Sequence, residues 1–370
     1  MDLKIFYASS ESDADLLYLG GFRAPDPFLA FEIGGARVAV LSPLEIDRGL
    51  REGTFDEVLS LEDVIEQSES AGDLSARILW IADQRRASRI LLPEDFPARM
   101  AFDLKEKGAY DLEFLSRPVC RKRLRKSESE RENIRRVNRV VSSGFSLVGE
   151  ILGASSIEGG ELVFEGRVLT SEFLRRQIAV NCLAQGCIAE STIVAGGDQA
   201  CDPHERGRGP LRANELIIVD IFPRDEVSGY FGDMTRTFCK GEPSEEAARL
   251  VATVREAQAI ALDSISAQVD GKDVHEKVVS YFSDQGYETG RTDTGFQGFF
   301  HGTGHGLGLE IHEEPRISKA SSLLEEGMVT TVEPGLYYRG VGGCRIEDVV
   351  AVTENGVEML SSHPLDWRIA

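Results

Sequence analysis

The feature that most constrains this chain is a set of five residues spread over its last third: Asp220, Asp233, His305, Glu333 and Glu347. Each lies in a short stretch rich in glycine and β-forming residues. The stretches read IIVDIFPRDEVSGYFGDMTRTF, FFHGTGHGLGLEIHEEP and GMVTTVEPGLYYRGVGGCRIEDVVAVT. Four carboxylates and one imidazole in such settings form a ligand set suited to two divalent cations. Buried without cations, four acids repel one another and some must take up protons. A fold that gathers them therefore needs the cations as much as it binds them.

Local patterning predicts how the gathering is done. Asp220 closes the apolar run Leu216–Val219, which reads as a buried strand, and Tyr230–Phe238 reads as a second, with Arg224–Gly229 turn-like between them. A hairpin would set Asp220 opposite Asp233, with Cβ atoms about 4.5–5.5 Å apart. That suits cations about 3.5–4 Å apart. The construction recurs at Val329–Glu333 and Arg345–Val350, with Gly340, Gly342 and Gly343 turning the chain so that Glu333 faces Glu347. Two hairpins of this kind predict a site with pseudo-twofold halves. His305 sits in His301-Gly302-Thr303-Gly304-His305-Gly306, where alternating glycines allow close approach. His204 and His312 lie in comparable stretches, while His275 and His363 read as surface or helix residues.

The 370-residue length favours two domains over one core. Residues 1–120 mix β-rich runs (Phe28–Ile33, Ala36–Leu41, Arg77–Ile81, Arg89–Leu92) with a helix over Ala98–Lys107, an α/β pattern without a histidine. A supporting or dimerisation role suits it better than chemistry. Pro118 and the basic run Arg121–Lys126 read as a linker and a solvated face, with the second domain at 125–370. Ser127 and Glu130 form a capping-box pair, and Ile134, Val137, Val141, Phe145 and Val148 continue at helical spacing. Further helices are predicted at Ser171–Gln185, Ser244–Ile265 and Asp273–Gln285. A net charge of −21 disfavours nucleic acid and anionic membranes as partners. No apolar run approaches the roughly 20 residues a bilayer requires. The first residues lack a basic segment followed by an apolar one, and six cysteines show no CxxC pair, so a cytoplasmic protein with reduced thiols is expected.

Over about residues 125–370 the motifs resemble the pita-bread metallopeptidases: methionine aminopeptidases, Xaa-Pro aminopeptidases and Xaa-Pro dipeptidases. The matching segments are Asp220, Gly229–Thr237 (Gly-Tyr-Phe-Gly-Asp-Met-Thr-Arg-Thr), His301–His305, Glu333-Pro334-Gly335 and Arg345-Ile346-Glu347-Asp348. The resemblance implies an α/β (α+β) protein: a creatinase-like α/β domain, then a catalytic domain with a curved, mainly antiparallel sheet. It implies two divalent ions per chain, Mn first, with Co, Zn or Fe as alternatives. Asp233 and Glu347 would bridge both ions, Asp220 would complete one shell, and His305 and Glu333 the other. A water between two cations loses a proton near neutral pH and becomes a nucleophile. Glu333 would shuttle its proton. By the same resemblance His204 and His312 would contact the substrate and the scissile carbonyl, His301 would line the pocket, and Arg345 would hold neighbouring acids in place.

The implied activity is cleavage of short peptides with proline in second position, by a homodimer. An N-terminal domain of about 120 residues favours Xaa-Pro enzymes over a methionine-type aminopeptidase. A catalytically silent protein-binding module and a metal-free amidinohydrolase of the same fold are alternatives, and the intact ligand set argues against both. Two departures stand out. Asp220-Ile221-Phe222 replaces the family's usual Asp-x-Gly, and Asp220 and Asp233 are spaced more widely than is usual.

Overall fold

The computed structural model describes residues 1–293 and 295–370. The chain divides into two compact units, 1–123 and 124–370.

The first unit is built on a six-stranded mixed sheet. Its order runs Glu57–Ser60, Ala36–Leu41, Phe28–Ile33, Asp2–Ala8, Arg89–Pro93, Asp111–Leu115. The run Arg77–Ile81, expected as a strand, lies inside the helix Leu74–Gln84. Asp73 caps that helix, and Leu74, Ile78, Ile81 and Ala82 are buried on one helical face. That spacing outweighs the β-forming composition of the segment. The basic run is not simply solvated. Arg123 is buried against Asp15 within this unit, and Lys126 is buried in the second unit, whereas Arg121, Lys122 and Arg125 are exposed.

The second unit opens with the helix Glu128–Ala154, whose capping box between Ser127 and Glu130 is complete. Two sheets carry the site. The first has the order Ile193–Gly196, Ile217–Ile221, Met234–Lys240, Arg368–Ile369; the second, Glu313–Ile317, Gly304–Gly306, Val329–Val332, Asp348–Thr353, Gly356–Met359. A ribbon of Gly335–Tyr338 with Gly342–Arg345 extends the second hairpin. Each sheet is backed by helices. Val137, Val141, Phe145 and Val148 of the first helix pack with Ile217, Val219 and Met234, while Val254, Ala257, Val274 and Val278 from Glu245–Ser264 and Gly271–Asp284 pack with Val332 and Val350. The strands alternate between this apolar backing and the opposite face, so polar side chains on that other face converge.

Candidate metal centre

The two hairpins deliver their acids in different ways. In the first, Asp220 pairs with Thr235 and Ile221 with Met234, so Asp233 is diagonal to Asp220 instead of opposite it as the sequence suggested. The two-residue offset preserves the face, because side chains alternate with a period of two. In the second, the ladders Val332↔Asp348 and Gly335↔Arg345 share one register and bracket Glu333 and Glu347, whose own amides donate to the Thr303 and Thr235 carbonyls.

His305 enters from the central region of the second sheet, where a bulge between His305 and Gly306 interrupts pairing with Glu313–Ile317. The flanking glycines meet backbone: a Cβ at Gly304 would lie 2.0 Å from the Thr331 carbonyl oxygen, and one at Gly306 would lie 2.1 Å from that of Glu314. His305 Nδ1 faces the Gly306 carbonyl at 3.1 Å, which assigns the proton to Nδ1 and leaves a lone pair on Nε2. That Nε2 stands 3.4 Å from Glu333 Oε1 and 3.7 Å from Asp233 Oδ2. One ligand atom each from Asp233, His305 and Glu347 lies within 4.8 Å of the others.

Charge compensation within the protein is incomplete. Arg345 donates to Asp220 Oδ2 at 2.7 Å, to the Tyr337 hydroxyl at 3.0 Å and to Thr235 Oγ1 at 3.2 Å. Thr235 Oγ1 in turn donates to Glu347 Oε2 at 2.7 Å. Asp220 Oδ1 is buried without a hydrogen-bond partner. As protein groups alone, Asp233 and Glu347 have their carboxyls pushed well above the usual range, by burial first and by the neighbouring acids second. Burial raises Glu333 to about 7 against the pull of Arg345. Burial also lowers His305 to about 4, keeping the ring neutral. A lone pair aimed at two carboxylates, an orphaned buried oxygen and acids that resist ionisation all fit divalent cations among these five residues.

The other expected residues surround a cavity of about 580 Å³. His312 stacks edge-on against His305, ring centroids 4.4 Å apart, and partial burial with His305 alongside lowers it to about 4. His204 lines the cavity from an exposed turn after Asp202 and Pro203. His301 Nδ1 faces the Gly302 carbonyl at 2.7 Å, and its Nε2 meets the Tyr337 hydroxyl at 2.8 Å. Arg345, Tyr337 and His301 thus form a directed chain of hydrogen bonds. His275 is on a helix but is not a surface residue: it is buried, with Nδ1 2.9 Å from Thr303 Oγ1. His363 sits against Phe145 and Ser142. Several lining residues were not singled out from sequence as site residues, Arg316, Phe222 and Ile193 among them. Arg316 pairs with His305 across the sheet, and Phe222 and Ile193 flank Asp220. The period-two alternation of each strand was the available signal.

The chain belongs to metallopeptidase family M24, whose model matches residues 132–354. An uncharacterised peptidase of Staphylococcus aureus is 40% identical over 174 residues, 46% of this chain and 47% of the relative. One from Staphylococcus haemolyticus is 36% identical over 240 residues, 64% of this chain and 62% of the relative. The chain thus spans about half to three-fifths of these curated relatives' length. Solved structures share the fold over nearly the whole chain. An X-Pro aminopeptidase from Thermotoga maritima aligns at TM-score 0.84 and 24% identity, covering 100% of this chain and 98% of that one. An Xaa-Pro dipeptidase from Bacillus anthracis gives 0.84 and 22%, covering 100% and 95%. A prolidase from Pyrococcus furiosus gives 0.79 and 24%, covering 98% and 97%. The protein has the mixed α/β, pita-bread fold of this metallopeptidase family. Among the described residues, no helix is long and apolar enough to cross a membrane.

Proposed function

We propose that this protein is a dinuclear peptidase that hydrolyses the peptide bond of an N-terminal Xaa-Pro unit. Asp220, Asp233, His305, Glu333 and Glu347 would hold two divalent ions, manganese the first candidate and cobalt, zinc or iron the others. Bound there, the ions would supply the Lewis acidity that activates water and polarises the scissile carbonyl. The observation that carries this reading is the convergence of His305 Nε2 with Asp233 and Glu333 beside the orphaned Asp220 oxygen.

The chain's own residues have separable tasks. Glu333 would take the proton from the activated water and pass it to the leaving nitrogen. His312, neutral at that pH, offers a ring nitrogen on the cavity side of His305 for the substrate. His204 offers a second ring from the opposite turn, and His301 is oriented by Tyr337 to line the pocket. Arg345 holds Asp220 in place through its hydrogen bond to Oδ2. Arg316 gives the cavity a further cation that can meet a substrate carboxylate.

Similarity to enzymes named for Xaa-Pro cleavage supports the specificity, and so does the separate unit 1–123, to which this reading gives a homodimerisation role. Six buried free thiols are consistent with a cytoplasmic setting. Hydrolysis of Ala-Pro, Ala-Pro-Ala and Met-Ala-Ser under Mn or Co tests the reading. Cleavage of either proline peptide, abolished by chelator, supports it; cleavage of the methionine peptide alone overturns it.

A further inference from the structure

The backbone amides of the candidate ligands are held in different ways. Those of Glu333 and Glu347 donate to the Thr303 and Thr235 carbonyls, and that of His305 to Thr331 Oγ1 at 3.0 Å. These partners belong to the strands of the site or to residues next to them. Asp233 is held from outside the sheets. The ladder of its hairpin ends at Ile221↔Met234, and its N–H donates to Asn138 Oδ1 at 2.9 Å, on the helix Glu128–Ala154. The preceding amides are tied elsewhere, Phe231 to the Gly308 carbonyl at 2.9 Å and Gly232 to that of Pro223 at 3.1 Å. Gly232 lets the helix come this close: a Cβ there would lie 2.8 Å from Asn138 Oδ1 and 3.0 Å from Asn138 N.

Asn138 is 1% exposed, on the buried face of a helix that also presents Val137 and Val141. Its Nδ2 donates to the Leu360 carbonyl at 3.2 Å. One orientation of the amide serves both partners, because the Asp233 N–H needs an oxygen and the Leu360 carbonyl needs a donor. Leu360 N–H in turn donates to the Val349 carbonyl at 2.8 Å, and Ser361 Oγ accepts from Val349 N–H at 2.8 Å and donates to Asp348 Oδ1 at 2.9 Å. Asp348 and Val349 directly follow Glu347. A single buried side chain thus links the backbone at Asp233 on the first hairpin to the backbone beside Glu347 on the second. An apolar residue would fill this space with no polar atoms to satisfy, so packing alone does not account for an amide here.

Resting on the two-ion reading above, we propose that Asn138 is a positioning residue for the metal centre. It sets the spacing of Asp233 and Glu347, the acids that reading places on both ions, and thereby governs retention of the second ion. Groups that orient a ligand without binding the metal change affinity about 10- to 100-fold when removed.

The test uses the full chain, titrated with Mn by calorimetry and followed by electron paramagnetic resonance. Asn138→Leu removes both hydrogen bonds at similar volume, and Val148→Ala loosens the same helix at a buried position that touches none of these groups. Wild type is expected to bind a pair of Mn ions with an exchange-coupled spectrum. In Asn138→Leu the first ion should bind within about threefold of wild type and the second about 10- to 100-fold more weakly, leaving the spectrum of isolated ions. Its kcat for Ala-Pro-Ala should fall about tenfold, with KM within about threefold. Val148→Ala should lower the melting temperature and keep both ions. If Asn138→Leu does not fold, Asn138→Ser, with room for a water against both groups, should still weaken the second ion about tenfold. Wild-type Mn affinities with a coupled spectrum in the Asn138 variant, or an equal loss of the second ion in Val148→Ala, overturn the proposal. A wild type that binds a single Mn refutes the two-ion reading instead. The affinity for that ion then decides Asn138: about tenfold weakening in Asn138→Leu supports it, and no change refutes it. If Ala-Pro-Ala is not cleaved, the Xaa-Pro reading fails and the Mn data decide alone.

Discussion

Lys126 and Glu313 form an ion pair with 1% and 2% of their side chains exposed, sealed beneath the glycine-rich segment that carries His305 and His312. A Cβ at Gly308 would lie 2.5 Å from Glu313 Oε1 and 3.0 Å from Lys126 Cε, so the backbone rests directly on the pair. Glu313 also follows His312 immediately in sequence. Replacing Lys126 with Met removes one charge and leaves the other without water. Breaking a pair buried to this degree costs about 3–5 kcal/mol. For a unit of the size of residues 124–370, each kcal/mol shifts the midpoint by about 2–4 °C, giving a fall of roughly 6–20 °C. Lys126→Met with Glu313→Leu should recover most of that stability, because well-packed apolar replacements of buried pairs are often neutral. Turnover should stay low in the double variant, since His312 loses the anchor next to it. Denaturation followed by tryptophan fluorescence separates the units, Trp80 lying in the first and Trp367 in the second. A Lys126→Met loss below about 1 kcal/mol, or a double variant with full turnover, would refute the reasoning.

Glu333 gives a pH-dependent prediction. Its folded carboxyl, raised from 4.5 to about 7, contributes stability to the cation-free protein below pH 4.5 that is lost as pH rises through about 7. Cations must displace that proton and those that burial leaves on Asp233 and Glu347, so apparent affinity for Mn should climb by at least about a hundredfold between pH 5 and pH 7, read as a growing Mn-induced rise in melting temperature. A shift independent of pH contradicts it. His305, lowered to about 4, is already neutral in that window and adds no slope. Gly304→Ala forces a methyl to 2.0 Å from the Thr331 carbonyl oxygen, which as backbone cannot swing aside. It should destabilise the fold by about 1–3 kcal/mol and impair turnover; an unchanged melting temperature would show that the strand can shift.

The candidate ligands were legible because acids in Gly-rich β-stretches have few structural reasons to be there. The helix Glu128–Ala154 was legible through its capping box and its apolar spacing. The register between Asp220 and Thr235 was not, because a two-residue slip keeps every side chain on the same face and leaves the hydrophobic pattern unchanged. Burial of Lys126 was also hidden. Its neighbours in sequence are mostly cations, and its partner, Glu313, is supplied by a distant strand. Phe222 drew attention as a departure from the family pattern, but its place in the cavity lining required the fold. Arg77–Ile81 misled because β-branched and aromatic residues there also satisfy a helical stripe once Asp73 caps it.

Elemental analysis of the purified protein, paired with a Glu347→Gln variant, tests the central claim most directly. The account predicts about two divalent ions per wild-type chain, and at least one fewer, with no peptide hydrolysis, in a variant that remains folded. A metal-free wild type that still hydrolyses peptides, or a Glu347→Gln variant with full metal content and turnover, would contradict it.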